Sequence, residues 1–227
     1  EIDLRRYEVN LLIDNSETVG APVIMEQNPT YVNLFGRLEY EMEGGAVFTH
    51  FTNIKGGSLH KANGGTLILQ ANDFMENPLA WDSLKRALRT QELCIQPSAM
   101  MDESRVLAKS LAPEPIPLAV KIVLLGSPGI YYTLYERDED FADLFKVRAD
   151  FDSTMPHDEA HVAEYAQFVA TRCHEEGLLH FDRTAVAKIV EYGSQIVSQQ
   201  NKLSTQFGAV SDLIEEASYW AGLNGRS

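Results

Sequence analysis

Cysteine is scarce in this chain. Cys94 and Cys173 are the two in 227 residues, and they lie far apart. That excludes a disulfide framework and points to reduced thiols. Basic charge is also short, 19 Lys and Arg against 33 Asp and Glu, for a net charge of −14. A nucleic-acid surface or an anionic membrane face needs clustered cations, so neither partner is expected. Long apolar runs are missing too. The longest, Leu118 to Leu125, is interrupted by Lys121 and too short to span a bilayer. The opening Glu1-Ile2-Asp3-Leu4-Arg5-Arg6 holds no apolar leader segment and no initiator Met. These features predict a cytoplasmic location and a piece of a longer polypeptide.

What is present is an ordinary globular composition, 44% hydrophobic and 23% charged. The organising stretch is Gly56 to Asp73, where Gly64-Gly65 leads into Thr66-Leu67-Ile68-Leu69. A short apolar run between turn signals predicts a strand buried on both faces. The paired glycines lack a following helix with Lys and Ser/Thr, so they read as a tight turn, not a phosphate loop. Val120 to Leu125 is the second buried strand, predicted to lie beside the first and parallel to it.

Around these, Tyr7–Ile13 reads as a strand, as does Pro22–Glu26, and Pro29–Leu34 as a helical turn closed by Gly36. Arg37–Tyr40 and Ala46–Phe51 suggest a hairpin about Gly44-Gly45. Asn77-Pro78 opens a helix with Ala80, Trp81, Leu84, Ala87 and Leu88 on its apolar face. Its Lys85, Arg86 and Arg89 form either a solvated basic face or a contact to an acidic neighbouring subunit. Leu93–Ile95 reads as a short strand. Pro97–Pro117 reads as a proline-rich connector with a short helix at 103–110. Helical turns at Tyr131–Glu136 and Asp140–Phe145 precede a strand at Val147–Phe151. After Pro156 the pattern becomes three amphipathic helices, the first ending near Gly177, the second capped by Asp182, the third carrying Val210 to Ala221. The expected division is therefore 1–156, an α/β domain, and 157–227, a helical unit without strands.

Two local motifs carry residue types found in catalytic or metal-binding sites. Ser127 lies in Gly126-Ser127-Pro128-Gly129, but a nucleophile elbow needs Gly-x-Ser-x-Gly, so it reads as a loop residue. His157 and His161 are spaced for a shared helix face, yet Asp158 stands where the zinc-protease pattern puts Glu. A solvated helix start is the better reading there, with no metal.

The ordered blocks Asp14-Asn15-Ser16-Glu17, Gly20-Ala21-Pro22-Val23, Asn28-Pro29-Thr30-Tyr31 and Gly36-Arg37-Leu38-Glu39-Tyr40 resemble the Lon-related proteases with a divergent AAA+ domain. So do Leu59 to Gly65, Leu84 to Arg89, Leu144 to Val147, Ala149 to Asp152 and Lys202 to Thr205. The resemblance implies an AAA+-like parallel-sheet domain followed by a small helical lid, within a serine endopeptidase of the ATP-dependent protease family. In that family the phosphate loop lies upstream of such a segment and the Ser-Lys peptidase dyad downstream. The resemblance places Gln70 and Ala71 where an active ATPase has Asp and Glu. It puts Gly126-Ser127 where the sensor strand carries Asn, and Gln206 where the lid carries Arg. Lys146 and Arg148 are the cations that could reach a neighbouring subunit's site. The implied picture is a degenerate nucleotide site with no catalysis in this segment, ATP and Mg²⁺ belonging to the parent at most. Protein substrates and a homo-oligomeric ring are the implied partners, and a purely structural module that binds no nucleotide is the alternative. A σ54-activator-like ATPase shares the Ala-x-Gly-Gly-strand feature, but acidity and the lack of a DNA-binding segment disfavour it.

Overall fold

The structure, a computed structural model, describes residues 7–43, 46–95, 111 and 113–225. The connector helix expected at 103–110 lies outside these residues. Contacts divide the chain into two compact units, Glu1–Val147 and Arg148–Ser227.

The first unit runs β1 (Val23–Glu26), α1 (Tyr31–Phe35), β2 (Arg37–Leu38), β3 (Glu41–Glu43), β4 (Ala46–Phe48), β5 (Ile54–Lys55), α2 (Ser58–Lys61) and β6 (Thr66–Gln70). It continues with α3 (Ala71–Met75), α4 (Pro78–Thr90), β7 (Glu92–Leu93), β8 (Ile116–Pro117), β9 (Lys121–Leu125), α5 (Pro128–Arg137) and α6 (Phe141–Leu144). Its main sheet has the order β1-β6-β9, all parallel, with Ile24, Leu67 and Ile122 in one row and Leu69 opposite Leu124. The two strong apolar runs are thus adjacent and parallel, as their crossover connection requires.

Burial of the sheet differs from the expectation. Leu67 and Leu69 are fully buried and pack with Leu34, Leu59, Phe74 and Leu84, and Ile24, Ile122 and Leu124 join them from the same face. The alternate residues face the other way, where Val23 is 66% and Met25 51% exposed. Period-2 alternation therefore separates a covered face from an open one. The glycine turn is dictated sterically. Gly64 has φ +83, and a Cβ on Gly65 would sit 2.0 Å from the Pro22 carbonyl, the acceptor for the Thr66 amide at 2.8 Å.

Several expected elements move. Tyr7–Ile13 forms no strand. Its apolar residues Tyr7, Val9 and Leu11 are exposed, and Asn10 anchors the segment through bonds from Nδ2 to the carbonyls of Phe51 and Ile54. The hairpin shifts to β3 and β4, while Arg37-Leu38 pairs with Ile54-Lys55 instead. Pro29 precedes the first helix, whose cap is Thr30. The short strand is Glu92-Leu93, paired with Ile116-Pro117. Val147–Phe151 is irregular and exposed, with no strand partner among the described residues.

The second unit contains β10 (Thr154–Pro156), α7 (Glu159–Glu176), α8 (Arg183–Ile196), β11 (Lys202–Ser204) and α9 (Phe207–Leu223). Caps fall where the sequence puts them. Asp158 accepts from the His161 amide, Asp182 from the Ala185 amide, and Gly177 closes α7 at φ +64. One feature was not expected, the antiparallel β10–β11 ribbon inside the helical unit. It places fully buried Leu203 in the core and gives Tyr165 its partner, the Ser204 carbonyl at 2.6 Å. Because β10 pairs within this unit, the division falls after Val147 and ahead of Pro156.

Substituting Gly65→Ala should lower stability by about 1–3 kcal/mol, because backbone must move to admit one methyl group. Denaturant titration checks this, with Gly64→Ala as a comparison that tests the turn conformation alone.

Candidate functional site

Parallel sheets keep their ligand crevices at the carboxyl ends of their strands. Here those ends are Glu26, Gln70 and Leu125, with Gln70 opposite Leu125 in register. Ala71, 4% exposed, starts α3 directly from the β6 end. A Cβ on Gly126 would lie 3.1 Å from the Ala71 Cβ, so the two strand ends touch. Ser127 is not a plain loop residue. It caps α5, its Oγ accepting from the Ile130 amide at 3.4 Å. The fold therefore brings Gln70, Ala71 and Ser127 to one edge.

The other three candidate residues lie elsewhere. Lys146 is exposed just after α6. Arg148 and Gln206 belong to the second unit. Arg148 pairs with Asp150 at 2.8 Å, and Gln206 is the exposed residue before α9, its amide donating to Ser204 Oγ at 3.1 Å.

Residues that pattern reading did not single out complete the edge. Glu26 is held on both oxygens: Ser58 Oγ donates to Oε2, and the Asn28 amide donates to Oε1 at 3.0 Å. Ser58 is itself 3% exposed. Two residues on, His60 is 7% exposed. Its Nδ1 accepts from the Gly57 amide at 3.2 Å, so the neutral ring carries its proton on Nε2, which is buried and has no hydrogen-bond partner among the described residues. Burial lowers the His60 pKa to about 4.

Behind the edge, the helices leaving the two strand ends are bolted together. Asp138 Oδ2 accepts from Trp81 Nε1 at 2.5 Å and from Lys85 Nζ at 2.8 Å. Arg89 reaches Asp140 at 2.8 Å, and Trp81 stacks on Phe145. Burial alone would raise the Asp138 pKa, but the bonds from Lys85 and Trp81 outweigh it and hold the carboxyl below its usual range. Lys85, with its side chain 12% exposed, is thus no solvated cation, and its acidic partners lie in its own chain. These contacts span more than fifty residues, and no local pattern in the sequence announces them.

His157 and His161 lie at the capped start of α7. His161 Nδ1 lies 2.6 Å from the Asp158 carboxylate, and His157 Nδ1 lies 3.0 Å from the Gln200 carbonyl. Among the described residues no group of three or more His, Cys, Asp or Glu is placed to hold a metal ion. No helix among them is long and apolar enough to cross a membrane.

Residues 19–152 match the family described as LonB-like, AAA domain. The chain belongs to that family. Residues 180–227 match the archaeal LonB AAA+ ATPase LID domain, a stretch that takes in α8, β11 and α9 of the second unit. The archaeal Lon protease of Archaeoglobus fulgidus is 25% identical over 214 residues, covering 91% of this chain and 33% of that protein. This LonB-like chain thus spans about a third of the length of the curated relative it matches. Among solved structures, two crystal structures of NtrX from Brucella abortus, one of them in complex with ADP, superpose with a TM-score of 0.55 at 15% identity. The match covers 88% of this chain and 40% of NtrX, a likeness of fold.

Two outcomes follow from the buried groups. A His whose folded pKa is depressed stabilises the fold fully above its unfolded value of 6.5 and loses that contribution as pH falls toward about 4. Unfolding titrations at pH 7 and pH 4 should show roughly 3 kcal/mol lost in that window, and His60→Leu should flatten it. Lys85→Met leaves Asp138 buried without its cation and should cost about 3 kcal/mol, more than the exposed Arg86→Met, by the same titration.

Proposed function

We propose that this LonB-like AAA module serves a Lon-type serine protease in substrate engagement and ring assembly, with a nucleotide site that does not hydrolyse ATP. One observation supports the second part above others. The β6 end offers an amide and a methyl group, Gln70 and Ala71, where Mg²⁺ and water would need carboxylates. The one carboxylate at the strand ends, Glu26, is taken up by Ser58 and the Asn28 amide. The donor set does not fit a Mg²⁺-nucleotide. Lys146 is exposed and can reach a neighbouring site, while Arg148 is engaged by Asp150; two cations are too little for phosphoryl transfer alone.

Substrate engagement is supported by the β3–β4 hairpin, where Met42 is 78% exposed on a segment outside the core. An adaptable thioether side chain suits contact with varied polypeptides. The reading of a purely structural module remains the alternative, and nucleotide binding separates the two. Calorimetry with ATP and Mg²⁺ on the parent protein decides between them. The chain itself should release no phosphate from ATP and cleave no casein above a blank. Turnover in either assay that is abolished by a change at Gln70, Ser127 or Lys146 overturns this reading.

A further inference from the structure

Asparagine followed by glycine is a step at which a polypeptide readily attacks itself, because glycine has no Cβ to shield its amide nitrogen from the asparagine side chain. The sequence holds two such steps, Asn63-Gly64 and Asn224-Gly225. The reaction needs only water. The glycine amide gives its proton to solvent, its nitrogen bonds to the asparagine Cγ, and the bond from Cγ to Nδ2 breaks to release ammonia. Water then opens the cyclic imide at either carbonyl. The product is an aspartyl residue, or an isoaspartyl link that carries the main chain through the side-chain carbon.

The fold treats the two steps differently. At the first, the groups the reaction uses are tied to the stretch just ahead of β9. The Gly64 amide donates to the Ala119 carbonyl at 2.8 Å. Asn63 Nδ2 donates to the Pro117 carbonyl at 2.9 Å, and Asn63 Oδ1 accepts from the Ala119 amide at 2.8 Å. These partners fix the side chain's orientation, since a carbonyl takes only the NH₂ end and an amide only the oxygen. Between them, Leu118 is 6% exposed, and its own amide donates to the Gln91 carbonyl at 2.8 Å. Freeing Gly64 and Asn63 therefore requires 117–119 to leave the glycine turn. At the second step Asn224 is exposed at the end of α9. Its Nδ2 reaches back four residues to the Trp220 carbonyl at 2.9 Å, and the Gly225 amide donates to the Gly222 carbonyl at 3.1 Å. A last helical turn frays by itself, whereas a clamp between two elements opens only when they part.

We propose that Asn63-Gly64 is a self-modification site that the native fold holds closed, so that deamidation there marks copies whose β8–β9 stretch has opened. Refolding does not erase the mark. An aspartyl residue at 63 turns a second acceptor toward the Pro117 carbonyl in place of the Nδ2 donor. An isoaspartyl link adds a carbon to the main chain beside Gly64, whose φ of +83 leads Gly65 into its close approach to Pro22. That approach sets where β6 begins, so a marked copy rebuilds its pairing with β1 and β9 less well.

Peptide mapping by mass spectrometry on the chain at neutral pH, folded and in urea, follows both steps in one sample. In urea the two should convert within about threefold of each other, as unfolded Asn-Gly steps. In the folded chain Asn63 should convert about a hundredfold or more slowly than in urea, and Asn224 about tenfold more slowly at most. Leu118→Ala loosens the clamp without touching the reacting groups. It should speed Asn63 about tenfold or more and leave Asn224 unchanged, with circular dichroism confirming the fold. Urea well below the unfolding midpoint tests the same opening without a substitution and should speed Asn63 alone. Conversion of Asn63 in the folded chain as fast as in urea, or unmoved by low urea, overturns the guard. Copies modified at 63 can be separated by their added negative charge, and they should unfold at lower urea than unmodified chain. An unchanged midpoint overturns the mark.

Discussion

The hydrogen-bond ladder of β6, shared with β1 on one side and β9 on the other, is the constraint on which the first unit depends. A central parallel strand has no free edge, so all its backbone groups are committed and its neighbours' registers are fixed with it. The close approach of Gly65 to Pro22 sets where the ladder begins. Leu67 and Leu69 then hold the covered face, and the strand ends bring Glu26, Gln70 and Gly126 to a common edge. Side chains at that edge decide what it can do, and they are an amide, a methyl group, a capping hydroxyl and one engaged carboxylate.

The edge is stiffened from behind. α3 and α4 leave from Gln70 and α5 from Ser127, and their far portions are joined by Asp138 with Lys85 and Trp81. A mostly buried ion pair contributes little net stability over an apolar substitute, but breaking half of it is costly. Its effect here is to fix the α5–α6 junction against α4, an arrangement that aromatic stacking of Trp81 on Phe145 reinforces. In the second unit Tyr165 has the same kind of part. It fills the core, its hydroxyl holds the Ser204 carbonyl, and its ring passes where a side chain on Gly193 would sit.

Belonging to the LonB-like AAA family frames the remaining chemistry. The exposed surface is where this chain has polar and apolar groups not used for folding. Met42, Leu79 and the outward residues of α9 are exposed, while at the strand ends Glu26 is engaged by Ser58 and Ser127 caps α5.

The sequence by itself determined the period-encoded parts of this protein. Leu67–Leu69 and Val120–Leu125 are short apolar runs between turns, and Asp158, Asp182 and Gly177 bound helices through bonds to groups within five residues of themselves. The blocks from Asp14 to Thr205 also carried the family. Tertiary structure alone decided which apolar pattern finds a partner. Tyr7–Ile13 and Val147–Phe151 have strand-like composition but form no strand, whereas Lys202–Ser204 becomes one by pairing with Thr154–Pro156. It also decided the charge state of His60, the burial of Lys85 and the fate of Glu26, because each depends on groups brought together across the fold or on the low-dielectric surroundings the fold creates. A strand needs a neighbour and a buried charge needs a counter-charge, and neither requirement is written in local sequence.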